Sequence, residues 1–218
     1  MPLPFASDAL RFAAPLAALA ALALFALGPW AALPFALGLV VVLGFFRDPE
    51  RVPPGDPRAV VAAADGRVTD IDLAWAGNEL IPAGPRVGVF LSVLNVHINR
   101  SPADGEVVSL HYVPGQFLNA LRAESAEFNE SNLIRLQRGP HVIGVRQIAG
   151  AIARRIVCRV RPGDKVRQGE RIGLIRFGSR TEHLLPAGTE ICVRVGDRVR
   201  AGETILGWLP ADSTTRGA

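Results

Sequence analysis

A glycine-serine pair near the carboxyl end of the chain follows an apolar run and could act as a nucleophilic site. Residues 172–186 read I-G-L-I-R-F-G-S-R-T-E-H-L-L-P, and the run from Ile172 to Phe177 predicts a strand that ends in a tight turn at Gly178-Ser179. Because glycine leaves the carbonyl before Ser179 unshielded, the hydroxyl of Ser179 could attack its own preceding peptide bond. An isolated Gly-Ser pair is more often a simple turn, so this interpretation depends on the other polar residues of the chain.

A carboxylate and an imidazole that could assist such an attack occur elsewhere in the chain. Asp65 follows an apolar strand in the turn-like sequence A-A-D-G, and His97 lies within a second strand-like run. In an extended chain Asn95 and Asn99 project to the same side as His97, which favours a polar pocket over a purely structural histidine. Asp65, His97 and Ser179 therefore represent an acid, a base and a nucleophile on separate elements, which can form a triad only if the fold brings them together.

Other classes of site have no support in the sequence. The motifs HExxH, CxxC, G-x-S-x-G, the phosphate-binding loop and the dinucleotide fingerprint do not occur, so we expect no metal site, ordinary hydrolase or nucleotide enzyme. Cys158 and Cys192 are expected to be buried free thiols in a reducing compartment. The formal net charge of +4 is not organised into an aromatic-interleaved basic stripe, so nucleic acid is not an expected partner.

The first 46 residues are typical of a membrane-associated segment. Two uncharged apolar runs of 16 residues each, Ala13–Gly28 and Ala31–Phe46, flank Pro29-Trp30. Each run is shorter than the roughly 20 residues that an upright span needs, and the stretch is too long for a cleavable signal peptide. One tilted span, two short spans and a hairpin that turns at Gly28-Pro29 all remain open, and the lack of charge near Pro29 favours the hairpin.

The charge that follows this segment predicts which face of the membrane carries the rest of the chain. Arg47, Arg51 and Arg58 come directly after the apolar runs. The positive-inside rule places such residues in the cytoplasm. We therefore expect residues 47–218 to lie at the cytoplasmic face of the cell membrane, where their basic excess suits an anionic lipid surface.

Residues 47–218 predict a compact, mainly β (α+β) domain. Short β-branched runs alternate with Gly, Pro and Asp, which is typical of strands joined by tight turns. The predicted strands are residues 60–61, 67–71, 87–91, 106–110, 142–145, 156–160 and 191–195, and the best helix candidate is Gln116 to Asn129.

An internal repeat strengthens the β assignment. The pattern V-x-x-G-D-x-V-x-x-G-E-x-I occurs at residues 160–172 and again at 193–205, an offset of 33. Units of this kind resemble the strand-turn-strand halves of lipoyl and hammerhead-type β domains, in which glycines supply the positive φ of each turn. A lipoyl-type carrier would present a lysine between its halves, and this chain has Gly178-Ser179 there instead.

Taken together, these segments resemble the phosphatidylserine decarboxylase proenzymes, particularly the short bacterial and archaeal type. The match extends over essentially the whole chain and consists of F-F-R-D-P-E-R at 45–51, A-D-G-R-V at 64–68, N-V-H-I-N-R-S-P at 95–102, A-D-G-E-V at 103–107, Y-V-P-G-Q-F at 112–117, Q-I-A-G-A-I-A-R-R-I at 147–156 and F-G-S-R at 177–180. Two positions depart from the family pattern. Ser131 stands where the family usually has arginine, and Leu94 stands where the longer bacterial form has an additional histidine.

The resemblance implies an enzyme that cuts itself and then acts on a lipid. Ser179, with His97 as base and Asp65 orienting it, is expected to cleave the chain after Gly178 into fragments 1–178 and 179–218, which stay associated. Ser179 is expected to become a covalent pyruvoyl (pyruvate) cofactor that decarboxylates phosphatidylserine in the membrane to phosphatidylethanolamine. Arg100 and Arg180 are the nearest candidates in sequence for binding the head group.

Two alternatives stay open at this point. One is a membrane-anchored, lipoyl-like adaptor without catalysis, which predicts an uncut chain. The other keeps the pyruvoyl chemistry but acts on an archaeal-type ether analogue of phosphatidylserine. The sequence also leaves a homo-oligomer open.

Overall fold

A computed structural model of the chain describes residues 5–118, 125–150, 155–176 and 179–211. The chain divides into two compact units, residues 1–50 and residues 51–218.

Residues 7–45 form a helical hairpin, the arrangement that the sequence favoured. A short 3-10 helix at Ser7–Ala9 leads into α1 (Leu10–Leu27), and α2 (Pro29–Phe45) follows after Gly28. The backbone of Gly28 has a φ of 88°, a left-handed value that favours glycine and ends α1. The amide of Ala6 donates to the carbonyl of Phe46 at 2.8 Å, so the two ends of the hairpin meet. This break at Gly28 rules out the single long span.

The outer surface of the hairpin is apolar. Phe25 and Trp30 are 93% and 85% exposed, whereas small residues such as Ala13, Ala23 and Ala32 are buried between the helices. The segment Ser7–Leu27 has the length and composition of a membrane-crossing helix. Large exposed apolar side chains of this kind suggest that the unit associates with a membrane.

Residues 51–218 are mainly β. The described strands are β1 (Ala59–Val61), β2 (Gly66–Asp72), β3 (Arg86–Leu91), β4 (Ile98–Arg100), β5 (Gly105–Val113), β6 (Ser131–Arg138), β7 (His141–Ile148), β8 (Ile156–Cys158), β9 (Lys165–Val166), β10 (Arg171–Ile175), β11 (Ser179–Leu184), β12 (Glu190–Ile191), β13 (Arg198–Val199) and β14 (Ile205–Trp208). They form one large sheet in the order β13-β2-β3-β11-β7-β6-β5-β9 and two smaller ones, β1-β14-β12 and β4-β10-β8. A single helical turn, α3 (Ser125–Phe128), precedes β6.

Alternation along the strands gives the large sheet a buried inner face. On β6 and β7, for example, Ile134, Leu136, Ile143 and Val145 are all fully buried in one core cluster. Side chains between them point to the opposite face, because successive residues of a strand alternate. Successive side chains of β11 therefore also lie on opposite faces of the large sheet.

Several predicted elements differ from the observed ones. Residues 116–118 are not helical, and the amide of Gln116 instead bonds the carbonyl of Phe128 at 2.7 Å. The rest of the predicted helix up to residue 124 lies outside the described residues. The predicted strand 191–195 is wrong beyond Ile191, since a turn follows it, and β6 was missed because polar residues occupy its outer face.

The cysteines are free, as predicted, but they are not buried. Cys158 is half-buried and Cys192 is exposed. The prediction of burial was therefore wrong, because Cys158 ends the edge strand β8 and Cys192 directly follows the edge strand β12, each just before a copy of the repeat.

Candidate active site

Three neighbouring strands bring the predicted acid, base and nucleophile to one end of the large sheet. Both β2 and β11 pair with β3 in antiparallel orientation, so both begin where β3 ends at Leu91. Ser179 lies directly opposite Leu91, Asp65 immediately precedes β2, and His97 belongs to the segment after β3. Because β3 separates β2 from β11, the backbones of Asp65 and Ser179 are about 10 Å apart. His97 follows Leu91, the last residue of β3, by six residues.

Ser179 is the first residue of a central strand rather than part of a turn. Its side chain is fully buried, and its Oγ has no hydrogen-bond partner among the described residues. The alternation of β11 places Ser179 on the inner face together with Thr181 and His183. The predicted turn before it includes residues 177 and 178, which lie outside the described residues.

His97 lies just before β4 instead of within a strand. Its Nδ1 is 2.9 Å from the carbonyl oxygen of Asn95, so this nitrogen carries the proton when the ring is neutral. In that tautomer Nε2 is the unprotonated nitrogen, the form that a general base needs. The backbone carbonyl of His97 accepts a hydrogen bond from the amide of Ile175 at 3.2 Å, which ties the histidine to the end of β10, four residues before Ser179.

The two amides that were expected to flank His97 bond other groups. The Oδ1 of Asn95 accepts from the amide and hydroxyl of Ser92, at 2.9 and 2.8 Å. Asn99 lies on β4 and donates to the carbonyl of Ala63 and the hydroxyl of Thr181. The shared polar face failed as a prediction because Asn95 lies in a bend, where side chains do not alternate as in a strand.

Asp65 is held in place by two strong contacts. One carboxylate oxygen accepts from the amide of Ala201 at 2.8 Å, and the other accepts from Nη2 of Arg51 at 2.8 Å. Arg51 also contacts Glu203 at 3.0 Å. The pairing with arginine and the bond from Ala201 fix the carboxylate of Asp65 directly before β2.

An open cavity lies at this end of the sheet. Its volume is about 650 Å³, and its lining includes Asp65, Phe90, Ser92 and Asn95. Phe90 pairs with Arg180 and flanks Leu91, the residue opposite Ser179, so the cavity lies one strand away from Ser179 and on the outer face of the sheet. It is large enough for a small polar group such as a lipid head group.

A chain of buried amides runs beneath the nucleophile, and sequence reasoning missed most of it. Asn132 donates to Gln147 at 3.0 Å, Gln147 donates to Asn99 at 2.8 Å, and Asn99 reaches Thr181 on β11. All four side chains are buried. Buried amides are tolerated only when they are bonded, so this chain fixes the position of β11 relative to β4, β6 and β7. The signal for it was a polar residue on the inner face of each of these strands.

His183 makes a second link between the nucleophile strand and the acid. Its Nε2 accepts from the amide of Ala63 at 2.7 Å, and its Nδ1 donates to the carbonyl of Val87 at 3.1 Å. Complete burial lowers the pKa of His183 from its ordinary 6.5 to about 4, partly offset by the bond to Val87 and reinforced by the nearby charge of Arg180. His183 is therefore a neutral, fixed bridge between β11 and the segment that precedes Asp65.

The lowered pKa of His183 predicts how stability depends on pH. Between pH 6.5 and 4 the unfolded chain binds a proton at this position and the folded chain does not, so the free energy of unfolding rises with pH. The contribution of His183 to the free energy of unfolding is complete above about pH 6.5 and is lost as the pH falls towards 4. The change in the free energy of unfolding is about 3 kcal/mol. Urea unfolding at pH 7, 5.5 and 4.5 measures it, and His183→Gln, which keeps a donor and an acceptor, is expected to remove this part of the pH dependence. An unchanged slope in His183→Gln would show that other groups cause the acid sensitivity.

Arg180 and Arg100, suggested as head-group ligands, are both occupied by protein groups. The guanidinium of Arg180 is fully buried on the outer face of β11, where it contacts Asp70 at 2.7 Å and Glu182 at 3.1 Å. Arg100 is also buried and donates to the carbonyl of Gly169 at 2.8 Å. The suggestion was wrong because both side chains are buried and bonded to protein groups, which closeness in sequence to Ser179 and His97 does not reveal.

The burial of Arg180 predicts a large effect on stability. Arg180→Met keeps the volume but leaves Glu182, itself 2% exposed, without its closest cation. Removing one partner of a buried ion pair typically costs about 3–5 kcal/mol, and we expect the lower end because Arg86 and Arg146 lie within 3.7 Å of Glu182.

Urea unfolding of Arg180→Met measures this loss of stability. The variant also carries Ser179→Ala, so that the chain stays uncut and unfolds as one polypeptide. Arg135→Met serves as the matched control, because Arg135 is half-buried on β6 and contacts only a hydroxyl at 3.3 Å among the described residues. The control is expected to lose less than about 1 kcal/mol. Equal urea midpoints for the two variants would mean that Arg180 does not stabilise Glu182.

The amino-acid sequence of this chain is similar to those of several bacterial phosphatidylserine decarboxylase proenzymes. The family model of phosphatidylserine decarboxylase matches residues 40–207. A phosphatidylserine decarboxylase proenzyme of Gluconobacter oxydans is 53% identical over 168 residues, which is 75% of each chain. The proenzyme of Burkholderia mallei is 44% identical over 200 residues, 89% of this chain and 91% of its own. That of Mycobacterium tuberculosis is 48% identical over 175 residues, 78% of this chain and 75% of its own.

The matched region contains every residue of the candidate site, from Asp65 through His97 to Ser179. Identity at this level over most of both partners is far beyond what a shared fold alone produces. The chain belongs to the phosphatidylserine decarboxylase family.

Proposed function

We propose that this chain cuts itself between Gly178 and Ser179 and then decarboxylates phosphatidylserine to phosphatidylethanolamine and CO₂. The observation that carries the proposal is the environment of Ser179, whose buried Oγ has no hydrogen-bond partner among the described residues. Buried hydroxyls are normally bonded, so an unbonded one at the start of a central strand is a group retained for chemistry rather than for packing.

Maturation needs only groups of this chain and water. The Oγ of Ser179 adds to the carbonyl carbon of Gly178 while its proton passes to Nε2 of His97. The peptide C–N bond breaks, the nitrogen takes up a proton, and an ester joins the two residues. Elimination of the α-proton of residue 179 releases the carboxylate of Gly178 and leaves dehydroalanine, which water hydrolyses to a pyruvoyl group and ammonia.

The residues of the site fit this role. His97 is nearly buried, and its hydrogen bond to Asn95 leaves Nε2 as the basic atom, while Asp65 supplies a fixed negative charge that favours a protonated ring. Position 179 is held by pairing of β11 with β3 on one side and β7 on the other. A pyruvoyl group at this position supplies an electrophilic carbonyl that takes up electrons as CO₂ leaves an amine substrate, a role comparable to that of pyridoxal phosphate. His97 is also the proton donor for the decarboxylated product.

The strand pairing supports association of the two fragments after the cut. Within the fragment 179–218, β11 lies between β3 and β7, β13 pairs with β2, and β14 pairs with β1. All four of these partner strands belong to the fragment 1–178. Separating the fragments would therefore open the large sheet at its centre, so they are expected to copurify.

The membrane segment suits a substrate that stays in the bilayer. The apolar surface of the α1–α2 hairpin favours membrane association, and the arginines that follow it favour the cytoplasmic face. Anchoring confines the enzyme to the surface where the lipid head group is presented, which raises the effective concentration of the substrate.

Intact-mass analysis of the purified protein, combined with a CO₂-release assay, tests the proposal. The expected result is two fragments of 178 and 40 residues, the smaller one reactive with hydroxylamine, and release of CO₂ from phosphatidylserine. A single uncut chain without a reactive carbonyl would overturn the proposal and favour the non-catalytic adaptor. Parallel assays with diester and diether phosphatidylserine separate the bacterial from the archaeal type of substrate.

A further inference from the structure

Residues 51–218 contain the same local structural unit twice. In each unit an A-D-G-x-V segment lies against one copy of the V-x-x-G-D-x-V-x-x-G-E-x-I pattern. We call residues 64–68 with 193–205 the site unit, because it contains Asp65, and residues 103–107 with 160–172 the distal unit.

The two units share their hydrogen bonds. Asp65 accepts from the amide of Ala201 at 2.8 Å, and its counterpart Asp104 accepts from the amide of Gln168 at 2.8 Å. The backbone bond from Val68 to Asp197 at 2.9 Å likewise corresponds to the bond from Val107 to Asp164 at 2.8 Å. Because the two backbones make equivalent hydrogen bonds, the fold does not dictate which side chains occupy the matching positions of the two units.

The units differ in charge at one pair of facing positions. In the distal unit Glu106 lies opposite Lys165, whereas in the site unit the equivalent residues are Arg67 and Arg198. Opposite charges across a strand pair stabilise it, and like charges destabilise it. The site unit therefore carries a repulsive arginine pair where the same backbone accommodates an attractive one.

These arginines line the cavity that contains Asp65 and Asn95. Arg67, Arg198 and Arg200 are all exposed and border the 650 Å³ space. Among the described residues Arg198 has no carboxylate within 4 Å, and Arg200 is 3.9 Å from Glu203, its one acidic neighbour. Arg67 uses its Nε to donate to the carbonyl of Gly196 at 3.0 Å. The single carboxylate of the cavity, Asp65, is already paired with Arg51, so the cavity has a net positive charge.

We propose that Arg67, Arg198 and Arg200 form the subsite that binds the phosphate of the lipid head group. The inference rests on the proposed function, since it places this phosphate beside Asp65 and the segment of His97. A phosphodiester offers two anionic oxygens, which offset the repulsion between the two facing arginines and accept charge-assisted hydrogen bonds. Arginine is suited to this task because its planar fork of donors matches phosphate geometry.

Arg67→Glu separates the binding role from any structural one. The change reproduces the acid–base pair of the distal unit, so the free energy of unfolding is expected to stay equal or rise. Self-cleavage into the 178- and 40-residue fragments is expected to continue, while the KM for short-chain phosphatidylserine in neutral detergent micelles rises at least tenfold. That factor corresponds to about 1.4 kcal/mol, near the lower bound for a hydrogen bond to a charged group. Arg198→Gln is expected to act in the same direction.

Lys165→Gln and Arg167→Gln are the matched controls, since they neutralise the equivalent positions of the distal unit and are expected to leave KM unchanged. An unaltered KM in mature Arg67→Glu, or an equal rise in the distal variants, would overturn the proposal. A loss of binding to vesicles of phosphatidylcholine and phosphatidylglycerol, with KM in micelles unchanged, would instead show that the arginines contact the membrane surface in general.

Binding of glycerophosphoserine to the uncut Ser179→Ala protein, measured by calorimetry, tests the subsite without relying on activity. Arg67→Glu in that background is expected to weaken binding about tenfold, as the loss of one charge-assisted hydrogen bond requires. Binding that is lost in this variant while the wild-type protein releases no CO₂ would leave the subsite standing and overturn only the proposed reaction. Equal binding by both proteins overturns the subsite.

Discussion

Ser179→Ala is expected to leave the chain as one polypeptide of 218 residues and to abolish CO₂ release from phosphatidylserine. The substitution removes the buried Oγ, which is the only atom of that residue able to form an ester with the preceding carbonyl. Because this hydroxyl has no hydrogen-bond partner among the described residues, its removal leaves no other group there unsatisfied. The fold is therefore expected to persist, so the loss of cleavage reports chemistry rather than unfolding.

Intact mass and a thermal melt, measured on the same preparation, check both parts of this expectation. Ser131→Ala is the matched control, because Ser131 is also a buried serine at the start of a strand and, within the described part of the chain, its Oγ has only a long contact of 3.4 Å to Arg146. The control is expected to mature fully. Fragments of 178 and 40 residues from Ser179→Ala would show that the same bond is cut by another nucleophile.

His97→Ala is expected to slow self-cleavage by about 10²–10⁴-fold, the usual contribution of a general base. The bond between Nδ1 of His97 and the carbonyl of Asn95 leaves Nε2 as the proton acceptor, and alanine cannot replace it. The fraction of cut chain at successive times after synthesis, followed by gel electrophoresis, measures the rate. A wild-type rate in His97→Ala would assign the base to another residue.

Two further variants separate the role of His97 from effects of packing. His111→Ala removes an exposed histidine of β5 and is expected to leave the cleavage rate unchanged. Asp65→Asn keeps the size of the side chain but removes the charge that Arg51 pairs with, so a slower cleavage is expected if Asp65 stabilises the protonated imidazole. Loss of rate in the His111 variant as well would point to a general defect of folding.

The family could be recognised from the sequence, because the residues that do chemistry are recognisable by type and spacing. Three motifs each contain a group with a definite reactivity: F-G-S-R after an apolar run, N-V-H-I-N-R-S-P, and A-D-G-R-V. Together they indicated a decarboxylase proenzyme, which the comparisons then confirmed. The hairpin around Gly28 was also predictable, since glycine and proline disturb a helix through local geometry alone.

Side-chain direction was harder to predict than the elements themselves. Asn95 was assigned to a strand face although it lies in a bend, and Arg180 was placed near the substrate although its guanidinium is fully buried and paired with Asp70. One residue of shift reverses the face of a strand, so an error in where a strand begins changes every side chain along it.

The sequence by itself thus determined the reactive residue types, the apolar helical hairpin, the mainly β character of the body and the family. Only the tertiary structure decided that β2 and β11 begin where β3 ends, that the buried hydroxyl of Ser179 has no hydrogen-bond partner among the described residues, and that Arg67 faces Arg198 beside Asp65. The physical reason is that local propensity and motif chemistry act over a few residues, whereas strand register joins segments more than a hundred residues apart and is fixed only by how the whole core packs.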